Sequence, residues 1–373
     1  MRARARAGWV GPVLVGLAWF WGVVAAAAVG LGVVLSVMGP VVRAPVVRAG
    51  VGEKAAGEVA RVDAPMVTGP VVTGPVVTGP VVTGPVAVEG PRGGVSREVA
   101  FRDAGAPVAG PDPALLEPAL GFEGAEVPKI GVGGVRPSVV YAAGRAAGET
   151  RPRIAILMAD IGPHAQASEE AIRGLPAAVS FAVSPYGVRG ALLDMARARG
   201  HELFAVVPME PTQYPNNDPG PQALLTGAAP AVNARNLEWA LSRFNGYVGV
   251  TGVLNRMHGE RFAAAPALYA TMLEEVGRRG LIYLDARPGG AAPQSTRLPP
   301  FRAVDLVLDA PAVRGEVDER LGQLERVARE GGTAVGLAEG PTPMVIDRIA
   351  AWATALPLRG YALVPVSAVI VPR

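Results

Sequence analysis

Past residue 150, short unbroken apolar runs alternate with stretches whose apolar positions recur every three or four residues. The first run, Ile154 to Met158, is flanked by Pro152 and by Gly162-Pro163. Such a run between turn residues is the pattern of a strand buried on both faces. Strands are predicted over 154–159, 178–183, 203–207, 247–251, 281–285, 304–308, 334–338 and 362–366. The amphipathic stretches between them predict helices over 165–173, 189–199, 231–244, 266–279, 315–330 and 343–355. Gly200, Gly280, Gly331 and Gly360 stand where helices commonly end in a left-handed residue. This alternation predicts a parallel α/β domain over 151–373, either barrel-like or doubly wound. A length of about 220 residues suits a barrel.

In parallel α/β folds the carboxyl ends of the strands carry the chemistry. Asp160 follows the first apolar run by two residues and so stands where a functional acid would stand. The same position suits a carboxylate that caps the next helix or closes a turn, and the residues alone leave both readings open.

The chain before this domain has a different character. Residues 1–8 carry Arg2, Arg4 and Arg6, and no charged residue occurs from Ala7 to Val42. The stretch 9–38 exceeds the ~20 residues that cross a bilayer and outlasts the ~7–15 of a signal-peptide core. It predicts an uncleaved transmembrane anchor, with Trp9 at the headgroup level. The three arginines place the N-terminus in the cytoplasm; Arg43 and Arg48 weaken that bias without reversing it. The expected location is the inner membrane, single-pass, with the C-terminal domain in the periplasm. Residues 39–110 are low in complexity, and Met66 to Pro85 contains four V-T-G-P units in a period of five. Proline at that spacing excludes helix, and Gly-Pro breaks strands, so the segment reads as a semi-extended spacer. Residues 111–150 regain apolar character and predict an arm that packs on the domain.

Composition removes several chemistries. The 373 residues include no cysteine, which excludes disulfides, thiolate metal sites and cysteine nucleophiles. Net charge is +3 and the basic residues are scattered, without the basic stripe of a nucleic-acid binder.

Several motifs occur in order: Asp160-Ile161-Gly162, Gly200-His201-Glu202, Pro208-Met209-Glu210-Pro211, Asp218-Pro219-Gly220-Pro221, Gly246-Tyr247-Val248-Gly249-Val250, Leu284-Asp285-Ala286-Arg287 and Leu363-Val364-Pro365-Val366-Ser367-Ala368. As a set they resemble the divergent polysaccharide deacetylase family. That resemblance implies a distorted (β/α) barrel of the polysaccharide deacetylase type. It also implies metal-dependent hydrolysis of acetamides, in which one Asp acts as base while a second Asp and two histidines hold the ion. The sequence departs from the pattern at the chemistry. Ala159 stands where the base is expected and Val206 where a histidine often precedes the Pro-Met-Glu-Pro run. Gly336-Leu337-Ala338-Glu339-Gly340 replaces a late histidine-rich motif. His164, His201 and His258 are all the histidines present, and His201 is expected on the far side of the barrel.

The candidate site is therefore Asp160 and His258 as an incomplete metal pair, with Asp285 and Glu210 as candidate catalytic acids. Asn255, Arg261 and Arg287 are the candidate substrate-binding residues, and Glu339 is a further carboxylate that could complete a ligand set. A set so rich in carboxylate would suit Mg or Mn better than Zn. The expected partner is an envelope polysaccharide or a peptidoglycan-type glycan, with no nucleic acid. The implied function is binding of, or weak action on, that glycan, with a divalent metal only if the enzyme is active. An active amino-sugar deacetylase and a scaffold for envelope proteins are the alternatives.

Overall fold

The computed structural model describes residues 104–145 and 148–370. The expected anchor at 9–38 and the V-T-G-P units lie outside the described residues. Among those described, no helix is long and apolar enough to cross a membrane.

An arm opens the described chain. Strands β1 (Leu116–Pro118) and β2 (Glu126–Pro128) form an antiparallel ribbon, followed by helix α1 (Pro137–Val140). Leu115, Val127 and Tyr141 are each about 1% exposed, so the arm is packed rather than draped. The Tyr141 hydroxyl accepts the Asp112 N–H at 2.9 Å and ties the start of the arm to its end.

The main sheet is parallel at every pairing, and its inner strands are almost wholly buried, as the unbroken apolar runs require, while the two end strands are half-buried. Strand β3 (Arg153–Ile161) is central. On one side of it run β4 (Ser180–Val183), β5 (Leu203–Val206), β6 (Gly249–Thr251), β7 (Ile282–Asp285) and β8 (Phe301–Ala303). On the other run β10 (Thr333–Ala338) and β9 (Leu306–Val307). β8 and β9 thus lie at opposite ends of the sheet, yet only Val304 and Asp305 separate them in sequence. Val304 N–H donates to Asp285 of β7 at 2.9 Å and Asp305 N–H donates to Val335 of β10 at 2.8 Å. One segment therefore carries both end strands of the sheet order, and the curled sheet approaches a closed barrel. The strand expected over 304–308 is broken for this reason: its residues change partner halfway. The last strand, β11, is only Ala362–Leu363 and pairs with the first residues of β3. The rest of the run expected there leads into helix α9 (Ser367–Ile370).

Helices α2 (Ala165–Gly174), α3 (Gly190–Ala198), α4 (Pro230–Leu241), α5 (Glu260–Ala263), α6 (Pro266–Arg278), α7 (Arg314–Gly331) and α8 (Pro343–Ala355) connect the strands. In α7 the buried side chains are Val317, Leu321, Leu324 and Ala328, the three-and-four spacing that gives one apolar stripe. It is Gly332, with φ 76°, that takes the left-handed position after α7, not Gly331. Thr342 caps α8 by accepting the Val345 N–H, and Pro343 follows at the first turn, where its missing N–H costs nothing.

The amino end of the barrel is closed by one acid. Glu202, immediately before β5, is fully buried. Its carboxylate accepts from Ser180 Oγ at 2.8 Å, Ala143 N at 3.1 Å, Ser367 N at 2.9 Å and Ser367 Oγ at 2.6 Å. Arm, sheet and C-terminal helix therefore meet on a single side chain. Burial pushes its pKa up, against the pull of these donors. His201 beside it is fully buried as well, with Nδ1 2.9 Å from the Val179 carbonyl and Nε2 3.3 Å from that of Ile172. Both residues lie at the end opposite Asp160.

Candidate functional site

Asp160 sits at the carboxyl end of β3, inside a bulge. Met158 pairs with Phe181 and Ile161 with Val183, so β3 spends two residues where β4 spends one. Bulges re-aim side chains, and Asp is among the residues that tolerate the left-handed conformation this one needs, φ 61°. The next turn is tight. Gly162 has φ 118°, and a side chain there would run into the Gly187 carbonyl. The Oδ1 of Asp160 is buried without a hydrogen-bond partner among the described residues. Burial raises its pKa, opposed in part by His164 and by the backbone N–H of Asn255.

Asn255 belongs to a second strained element. Leu254 and Met257 exchange both backbone hydrogen bonds, at 2.9 and 2.8 Å, and so close a two-residue turn. Its central residues, Asn255 and Arg256, have φ 46° and φ 63°. Two positive φ values in a two-residue hairpin mark a type I′ turn, where Asn-Gly is the favoured pair. An arginine in the second position costs roughly 1–2 kcal/mol in backbone strain. Strain of this kind persists where the surroundings over-determine it and clusters at functional sites.

The turn crosses the mouth of the barrel and brings a basic edge onto buried acids. Arg256 Nε is 3.6 Å from Glu339 Oε2, and its Nη2 reaches the Asp309 carbonyl at 3.5 Å. His258 Nε2 is 2.8 Å from Glu339 Oε1, while Nδ1 faces Glu260 at 3.6 Å. Glu339 follows β10 and is almost wholly buried. Behind it Asp309 accepts the N–H groups of Glu339 at 2.8 Å and Gly340 at 3.2 Å. Burial raises the Asp309 pKa, and the Glu339 carboxylate adds to that. Further along the same segment, Arg261 Nε is 3.1 Å from Glu210 Oε1. The Glu210 carbonyl accepts the N–H groups of Arg261 and Phe262, and its carboxylate accepts the Thr226 hydroxyl at 2.7 Å.

Comparison with known proteins supports the family resemblance of the ordered motifs and the parallel α/β fold. The model of the divergent polysaccharide deacetylase family matches residues 156–370. The chain belongs to that family. It is also similar to the crystal structure of an uncharacterized protein from Agrobacterium tumefaciens C58. The identity is 30% and the TM-score 0.60, over 66% of this chain and 100% of that one. No functionally curated protein matches.

Within this divergent polysaccharide deacetylase domain the expected site residues fall into two groups. The Asn255 backbone N–H faces Asp160, and further along the same segment His258 lies over Glu339 and Arg261 over Glu210. Asp285 and Arg287 form a separate unit at the end of β7. Asp285 is 1% exposed, and its oxygens accept from Arg287 N and Nε at 3.0 Å, Arg287 Nη2 at 2.6 Å and Tyr269 Oη at 3.1 Å. Asp285 is thus fully engaged as a brace for Arg287, which stacks over the Tyr269 ring. Glu210 is likewise a brace, nearly buried under Arg261. Arg256 and Asp309 were not singled out from the sequence. The adjacent Asn255-Arg256 pair did carry a signal, since Asn is favoured at the first central position of a tight hairpin turn, but its partners lie on distant strands.

The donor set does not fit the divalent ion that the family implies. Both ring nitrogens of His258 already face carboxylates, and Ala159 supplies no second carboxylate beside Asp160. Among the described residues, no three His, Asp or Glu side chains converge to hold a metal. What the site offers instead is buried acids beneath arginines: Glu339 under Arg256, Glu210 under Arg261 and Asp285 under Arg287. A separate apolar groove of about 1100 Å³ lies on the outer wall between α4 and α6, lined by Leu237, Leu241, Leu268 and Met272 among others. Asp160 is not among the residues that line it.

Proposed function

We propose that this protein is a membrane-anchored, periplasmic member of the divergent polysaccharide deacetylase family that binds an envelope glycan at the barrel mouth and has little or no deacetylase activity. The uncharged stretch 9–38 behind three arginines supports the anchor and its orientation. Family membership supports a carbohydrate ligand. The observation that carries the reading is Asp160: a carboxyl held in a strained bulge at the mouth, with one oxygen unpartnered and no convergent metal ligands around it. Deacetylation needs an activated water and a base to take its proton. General base catalysis contributes roughly 10²–10⁴-fold, and Ala159 has no such group to give. Binding needs only shape and hydrogen-bonding groups, which Asp160, Asn255 and the cations of 256–261 supply. Glu210, Asp285 and Arg287 act here as supports for the rim.

The full-length protein purified in a non-ionic detergent tests this reading. Glycan binding by calorimetry, without stoichiometric metal and without acetate release from N-acetylated oligosaccharides above background, is the expected result. Stoichiometric metal together with acetate release lost in Asp160→Asn would restore the active enzyme.

A further inference from the structure

Among the charged groups of the mouth, Arg256 and Arg261 stand out by how they are held. Their side chains are 57% and 53% exposed, whereas the carboxylates beneath them, Glu339 and Glu210, are each 4% exposed. Each guanidinium meets its acid through Nε. Arg256 adds a long contact from Nη2 to the Asp309 carbonyl, at 3.5 Å. Nη1 of Arg256 and both terminal nitrogens of Arg261 have no acceptor among the described residues. A surface arginine that merely solubilises needs no buried carboxylate under it and no backbone strain to place it. Here a buried acid orients the inner edge of each guanidinium, and the outer edge presents N–H donors to solvent. Arg256 occupies its position at the expense of a left-handed backbone that glycine would adopt freely.

We infer that the mouth recognises a carboxylate-bearing saccharide, such as a uronic-acid or lactyl-substituted residue, through the outward edges of Arg256 and Arg261. The planar fork of a guanidinium matches a carboxylate in a way that a neutral hydroxyl cannot. The acids below set the charge of the ligand. Glu339 and Glu210 neutralise their arginines in part, and Asp309 stands beside Arg256, so a single negative charge is accommodated better than a phosphate dianion. Burial, which holds Asp309 toward its uncharged form, lessens the repulsion further. This inference rests on the glycan-binding reading above and specifies which glycans.

The test compares three probes on the full-length protein: a hyaluronan hexasaccharide, the same oligomer with its carboxyl groups reduced to alcohols, and a neutral N-acetylglucosamine hexamer. The intact oligomer is expected to bind about tenfold or more tightly than the reduced one, the effect of one charge-assisted hydrogen bond. Its affinity is expected to fall with added salt. Arg256→Gln and Arg261→Gln should each bring the intact oligomer close to the reduced one. Arg256→Lys should recover little, because a point charge lacks the fork. Equal affinity of wild type for intact and reduced oligomers would overturn the inference and leave glycan binding standing. Binding of none of the three would overturn both. Displacement of the intact oligomer by equimolar inorganic phosphate would overturn the carboxylate assignment. The wild-type comparison decides the matter even if a variant fails to fold.

Discussion

His258 Nε2 lies 2.8 Å from Glu339 Oε1, although 81 residues separate the two in sequence. The contact joins the turn after β6 to the end of β10 across the mouth of the barrel. Because Glu339 is nearly buried, its loss leaves His258 beside Glu260 alone and Arg256 without its inner support. Removing one partner of a buried hydrogen-bonded pair costs about 1–3 kcal/mol. Glu339→Ala is therefore expected to lower unfolding free energy by about 2 kcal/mol, and Glu339→Gln by less. Urea denaturation followed by circular dichroism measures both. No change in Glu339→Ala would mean that the pair contributes nothing to holding the turn.

Asp160 predicts a change of the opposite sign. Its unpartnered buried oxygen makes the charged form unfavourable in the folded state, so its folded pKa is raised. The folded protein then binds more protons than the unfolded chain between the two pKa values. Stability from this group is present below the unfolded pKa and is lost as pH rises through the folded one. Asp160→Asn should thus be more stable than wild type at pH 8, by about 1 kcal/mol, with the advantage shrinking toward pH 4. Denaturant midpoints of the two proteins across that range decide it; an advantage that grows on acidification would contradict the argument.

Glu202 should behave as a structural keystone. Glutamine keeps the shape but turns an amide N–H₂ toward two of the four donors. The expected loss is about 3 kcal/mol, with Ser367→Ala costing less because it removes one hydroxyl donor and keeps the backbone N–H. Hydrogen exchange should show the arm around Ala143 and the C-terminal helix opening first. Uniform loss of protection over the whole barrel would argue against this local role.

Arg256→Gly separates stability from recognition. Glycine removes about 1 kcal/mol of left-handed strain, and the half-exposed ion pair that it deletes is worth little. The variant is expected to be as stable as wild type or up to about 1 kcal/mol more stable, yet to lose its preference for the carboxylated oligomer. Thermal unfolding and calorimetry on the same preparation provide both readings. A loss above about 2 kcal/mol would show that the arginine is part of the scaffold.

Much of the domain is set by local pattern, and the sequence carries it openly. The run from Ile154 marks a buried strand because parallel strands bury both faces, and the stripe through Val317, Leu321, Leu324 and Ala328 marks a helix. The ordered motifs carry the family for the same reason, since each is a turn or strand end with fixed neighbours. Departures such as Ala159 and Glu339 are also legible without a structure. What sequence could not decide is anything that depends on which strand ends meet. Val304 and Asp305 change hydrogen-bonding partner because the sheet curls until its two edges face one segment, and no local pattern encodes that closure. The pairing of Glu339 with His258 and Arg256, and the bracing of Asp285 by Arg287 and Tyr269, likewise depend on contacts between distant elements. Individual residue types announce a charge, but only the curled sheet determines which charge it faces.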